Sequence, residues 1–166
     1  MGLFRKGNDN KRKFKMREDL MSFGDDYWIE DEHGDKAFHV NGKALRMRDT
    51  WVLEDGQGRE VASIKKHSLG RDKIVIEING RAATVKKALV GIRDRFHVEV
   101  ELGQDLKVHG HIADHEYEIE RDGDKIAEVS KKWFRVRDTY GVEIEDDDDA
   151  VLVLAVTVAV DSLAHD

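Results

Sequence analysis

The sequence predicts a mainly β protein, a closed barrel of twelve antiparallel strands around a central hydrophobic C-terminal α-helix. Three observations lead there. The chain repeats itself about every 22 residues. Each repeat shows apolar residues alternating with polar ones. A strongly apolar run then closes the sequence at residues 150–160, broken only by Thr157.

The repeats begin at Tyr27, Trp51, Ile74, Phe96 and Tyr117. Three of them follow an arginine–aspartate pair, Arg48 and Asp49, Arg71 and Asp72, Arg93 and Asp94, and a fourth pair, Arg137 and Asp138, precedes a further strand start at Tyr140. A fifth, degenerate copy keeps Asp114 and has lost its arginine. Each unit reads as strand, turn, strand and a polar connection. The first strands place Tyr27 and Ile29, Trp51 and Leu53, Ile74 and Ile76, Phe96 and Val98, Tyr117 and Ile119 on one face. The second strands do the same with Phe38 and Val40, Ala62 and Ile64, Ala83 and Val85, Leu106 and Val108, Ala127 and Val129. Between these lie His39, Ser63, Thr84, Lys107 and Glu128, which the pleat turns toward water. Gly- and Asp-containing turns separate the halves, among them Asn79 with Gly80 and Asp122 with Gly123.

Five hairpins supply ten strands, a leading strand at residues 11–17 adds one, and a last strand at residues 140–144 completes twelve. A flat sheet of that size would expose two long edges, so closure is expected. A repeat of this length also permits a solenoid. The tail separates the two. Five valines in a helix cost about 3 kcal/mol against alanine, whereas burying them returns roughly 1.5 kcal/mol or more each. A helix apolar on every side belongs inside something. Twelve strands leave an interior to be filled, and the small inward residues Ala62, Ala83 and Ala127 make room for a helix at about 148–164.

The arginine–aspartate repeats, the lysine pairs at 65–66, 86–87 and 131–132, the Phe23, Gly24, Asp25 stretch and the hydrophobic C-terminal helix resemble the LURP-one-related family. That family sits in the wider Tubby C-terminal-like group with the phospholipid scramblases. The resemblance runs from about residue 13 to 164 and implies the twelve-stranded barrel around a helix. It also implies lipid-linked functions, since Tubby domains bind phosphoinositides and scramblases act on lipids with calcium. It carries no shared catalytic residue onto this chain.

At 166 residues, with 40% hydrophobic and 38% charged residues, the chain suits one well-solvated domain over residues 11–166, preceded by a flexible basic segment at 1–10. A formal charge of −7 argues against nucleic acid as partner, because phosphate recognition needs a basic surface. The absence of cysteine excludes disulfides and thiolate chemistry. No apolar leader opens the sequence, so a cytoplasmic location is expected, peripheral to a membrane if lipid is the ligand.

Four groups of residues are candidates for function. Arg5, Lys6, Lys11, Arg12, Lys13, Lys15 and Arg17 form a basic N-terminal cluster able to meet anionic lipid head groups. The arginine–aspartate pairs occupy one topological position and read as architecture, with Asp accepting backbone N–H groups in turns. Pairing Leu102 with Leu106 across residues 103–105 would set His97 against His111 and Glu99 against His109, an outward face able to hold a divalent metal. The acidic residues 146–149 suit the N-terminus of the final helix and could alternatively take calcium. No phosphate loop, nucleophile elbow or zinc-protease motif is present. The expected function is therefore a non-enzymatic binding module without a cofactor, meeting an anionic membrane surface or a protein partner. Scramblase-like lipid activity and metal binding by His97, Glu99, His109 and His111 are the alternatives.

Overall fold

The computed structural model describes residues 11–17, 26–42, 50–67, 73–88 and 95–164. Every strand-forming alternation in these segments becomes a strand. They are β1 (Arg12–Arg17), β2 (Tyr27–Asp31), β3 (Lys36–Asn41), β4 (Thr50–Asp55), β5 (Glu60–His67) and β6 (Lys73–Ile78). There follow β7 (Arg81–Ala88), β8 (Arg95–Val100), β9 (Leu106–His111), β10 (Glu116–Arg121), β11 (Asp124–Ser130) and β12 (Thr139–Ile144). Neighbours in sequence from β2 to β12 are neighbours in the sheet, and β1 fits between β12 and β2 to close the barrel. Closure rests on antiparallel pairs such as Phe14 with Val142 on one side and Lys15 with Glu30 on the other. No strand edge is left for another chain to extend.

The turns explain the tight hairpins. Asn79 and Gly80 have φ of 53° and 77°, and Asp122 and Gly123 have 51° and 84°, the paired positive values of a type I′ turn. Two longer loops share another device. The Asp31 carboxylate accepts the N–H groups of His33 and Asp35 at 2.9 and 3.0 Å, and the Asp55 carboxylate accepts those of Gln57 and Arg59 at the same distances. A bulge precedes each of these aspartates in the same hairpin position. The repeat is thus structural as well as sequential.

The inward faces form one continuous core. Ile29, Leu53, Ile64, Ile74, Ile76, Val85, Val98, Leu106, Ile119, Ala127 and Val129 are all fully buried. The final helix, α1 (Ala150–Ala164), runs through this core. Val153, Leu154, Ala155, Val156, Thr157, Val158, Ala159 and Val160 are completely removed from solvent on all sides of it. Burial therefore overrides the strand propensity of its valines. The helix leans toward β5, β6 and β7, where Ala62 and Ala83 face inward. Phe14 and Met16 of β1, both fully buried, fill the wider gap elsewhere.

The helix is held at its entrance as well as along its length. Asp146 accepts the N–H of Asp148 at 3.0 Å and starts a 3-10 turn over Asp147–Asp149. Arg121 of β10 grips Asp149 with two hydrogen bonds of 2.9 and 3.1 Å, and Arg12 of β1 donates to Asp147 at 2.9 Å. The acidic run thus caps the helix entrance and ties it to the barrel rim from two sides.

Candidate functional site

With a helix filling the barrel, the outer surface is where this fold can meet a ligand. Its basic elements come first. Of the N-terminal cluster, Arg5 and Lys6 lie outside the described residues, Lys11 directly precedes β1, and β1 carries the rest. Their charges are largely spent within the molecule. Lys11 meets Glu143 and Glu145 at 3.6 and 3.5 Å, Lys13 meets Glu143 at 3.5 Å, and Lys15 meets Glu30 at 2.5 Å. Arg12 points to Asp31 at 3.6 Å as well as to Asp147, and its guanidinium covers the Phe14 ring at 4.7 Å. Arg17 ends β1 and is exposed.

A second basic segment lies beside it. Residues 131–138 connect β11 to β12 and contain Lys131, Lys132, Trp133, Phe134, Arg135, Val136 and Arg137. The segment folds back over the outer face of β12 because Gly141 has no side chain. A Cβ there would stand 2.9 Å from the Trp133 ring and 3.0 Å from the Phe134 ring. Lys132 Nζ lies 5.0 Å from the Trp133 ring centre and Lys13 Nζ lies 5.9 Å from it, both within cation–π range. Thr139 donates from its hydroxyl to the Val136 carbonyl at 2.6 Å and shapes the exit turn. Val136 is 56% exposed. Arg135 has no ion pair among the described residues, and Arg137 only a 3.9 Å contact with Asp138 while its side chain stays 95% exposed. Sequence reading noticed Lys131 and Lys132 only as a repeated pair. The signal available was their run with two aromatics and two arginines.

The histidine face differs from expectation. Strand β8 pairs with β9 so that His97 opposes Lys107 and Arg95 opposes His109. His97, Glu99, His109 and His111 are therefore not brought together. The cause is the turn. Leu102 sits in it with φ 58° instead of extending the strand, and Asp105 accepts the Val100 N–H at 3.0 Å to close a wider loop. His97 turns to Asp105 at 3.2 Å, Glu99 accepts from Lys86 at 3.1 Å, and His109 reaches across β10 to Glu120 at 2.9 Å. His111 opposes Glu116.

The arginine–aspartate pairs at 48–49, 71–72 and 93–94 lie outside the described residues. In the remaining pair, Asp138 takes a left-handed φ of 61° at the end of the 131–138 connection while Arg137 projects into solvent.

Inside the barrel one polar cluster was not foreseen. Asp161, which directly follows the apolar run of residues 150–160, is only 5% exposed. It accepts a hydrogen bond from the Tyr140 hydroxyl, and His115 Nδ1 stands 3.5 Å from its other oxygen. The His115 ring stacks on Tyr140 at 4.1 Å and 11°. Burial first, and then the Asp161 charge, push the Tyr117 hydroxyl well above its ordinary pKa, so it stays protonated. No helix among the described residues is long and apolar enough to cross a membrane.

Comparison with known proteins agrees with this architecture. The family description LURP-one-related matches residues 12–161. The uncharacterized protein YxjI of Bacillus subtilis (strain 168) is 24% identical over 153 residues, covering 90% of this chain and 92% of that one. An X-ray structure of a protein from Arabidopsis thaliana superposes with a TM-score of 0.70 at 17% identity, over 93% of this chain and 91% of that chain. The structural likeness speaks for the fold alone. The match over nearly the whole chain, with the barrel and its central helix, makes this protein a member of the LURP-one-related family.

Proposed function

We propose that the protein is a non-enzymatic binding module that docks, cytoplasmic and peripheral, on anionic phospholipid surfaces. The observation that carries this is the exposed 131–137 segment, where Lys131, Lys132, Arg135 and Arg137 surround Trp133 and an exposed Val136. A cation close to an anionic leaflet contributes about 1 kcal/mol. Arg135 and Arg137 together would give about 2 kcal/mol, and Lys132, which also holds Glu128 at 2.8 Å, adds less than a full share. Aromatic side chains at the headgroup level add to that. Such binding is reversible, as suits a peripheral protein. Lys11 and the cations of β1, already paired with Glu30, Glu143 and Glu145, contribute less than their number suggests. The net charge of −7 opposes approach by any other face, so docking is oriented.

Vesicle cosedimentation tests this. Intact protein should sediment with phosphatidylserine-containing vesicles at low salt, lose most of that binding at high salt, and ignore neutral phosphatidylcholine vesicles. Equal binding to both vesicle types, or none to either, would contradict lipid docking and turn attention to a protein partner.

A further inference from the structure

A separate site lies on the outer wall two strands away. His109 of β9 stands directly opposite Glu118 of β10, and Glu120 follows on the same face. Donor atoms of these three side chains all lie within 4.8 Å of one another. The surrounding charges serve Glu118 least, reaching it through Lys125 at longer range. Glu118 directly opposes Glu128, and Glu128 directly opposes Glu143, so three carboxylates line up across three strands. Opposed like charges are destabilising unless neutralised. Glu128 has Lys125 at 3.3 Å and Lys132 at 2.8 Å, and Glu143 has Lys11 at 3.6 Å and Lys13 at 3.5 Å. Among the described residues Glu118 has no ion pair, and the imidazole opposite it is turned to Glu120.

Gly110, opposite Tyr117 beside this cluster, holds a backbone conformation that no other residue could take there. Its φ is +138°, and a Cβ there would lie 2.7 Å from the Glu116 carbonyl oxygen and from the Tyr117 Cα. The three side chains are carried on two directly paired strands, which set their spacing for coordination.

We infer that His109, Glu118 and Glu120 form a binding site for a divalent transition-metal ion of the zinc type. Two carboxylates offset the charge of the ion, and the imidazole favours zinc and its neighbours over magnesium or calcium. Bonds of about 2.1 Å in a tetrahedral ion place ligands about 3.4 Å apart. The half-exposed glutamates reach that by small rotations. Three protein ligands leave a coordination position open to water on the solvent side.

The test uses the full chain, treated with chelator and titrated with zinc by calorimetry, then with cobalt(II) for its visible absorption. The expected result is saturable one-to-one uptake. His109→Ala and Glu118→Gln should each weaken it about tenfold or more, while His97→Ala and Glu99→Gln on the neighbouring strand leave it unchanged. Thermal melts without metal should match among all four variants, since the positions are at the surface. No saturable uptake, or uptake indifferent to His109→Ala and Glu118→Gln, overturns the proposal.

Discussion

At the scale of single residues, the Asp161 carboxylate shows how a buried polar group shapes a hydrophobic core. It lies on the one turn of α1 where the barrel offers it partners, the Tyr140 hydroxyl and the His115 ring. Removing it takes the charged acceptor away from both groups in an apolar interior. Asp161→Ala is therefore expected to cost about 2–4 kcal/mol in chemical denaturation, and Asp161→Asn, which still accepts from Tyr140, clearly less. The sequence hinted at this cluster only through the degenerate copy, in which Ala113 replaces the arginine before Asp114 and His115 follows it. Its assembly depends on residues far apart in the chain, and no local pattern reports that. Leu102 is a second such residue. It is 80% exposed at φ 58°, a conformation costly for a branched side chain. Leu102→Gly should raise stability by about 0.5–1 kcal/mol, read as a higher midpoint in urea.

At the scale of elements, alternation made the strands legible and turn chemistry set their register. Period-2 patterning identifies which side chains face inward whatever the register, which is why Trp51, Leu53, Phe96 and Val98 lie in the core as expected. A register shift by an even number of residues, here four, preserves faces and changes partners. That is what happened at the hairpin of β8 and β9, and it dissolved the expected grouping of His97, Glu99, His109 and His111. The helix was legible for a different reason, since an apolar run on all sides demands burial. Val156→Asp places a charge at a fully buried position of α1 and should cost more than about 4 kcal/mol or abolish folding. A mild loss in thermal melting would mean that the helix is not central. On β11, hydrogen bonding from Lys132 chiefly, and from Lys125 also, holds the Glu128 carboxyl below its ordinary value of 4.5. A depressed folded-state pKa stabilises above the unfolded value and fades as pH falls through the folded one. Glu128→Gln should therefore flatten the acid limb of the stability profile, measured by melts at successive pH values.

At the scale of the whole molecule, the described strands close into a barrel without a free sheet edge, and the helix occupies its interior. Recognition is left to the outside, where charge is unevenly spread. The net charge of −7 coexists with a segment of four cations, two aromatic rings and Val136 at residues 131–137. Sequence reading placed the basic surface at the N-terminus because the cations there are dense. The structure pairs Lys11, Arg12, Lys13 and Lys15 with carboxylates of β2, β12 and the helix entrance, contacts that only the closed barrel creates. The exposed charge lies one strand away, against the bare backbone of Gly141.

The most direct measurement is sedimentation of Arg135→Glu/Arg137→Glu protein with phosphatidylserine vesicles at low salt, beside the intact chain and one lacking residues 1–10. Both arginines are exposed, so the double variant should fold unchanged by circular dichroism. Lipid docking through the 131–137 segment predicts that reversing these two charges nearly abolishes binding, while removal of residues 1–10 weakens it only in part. Full binding by the double variant would contradict the account.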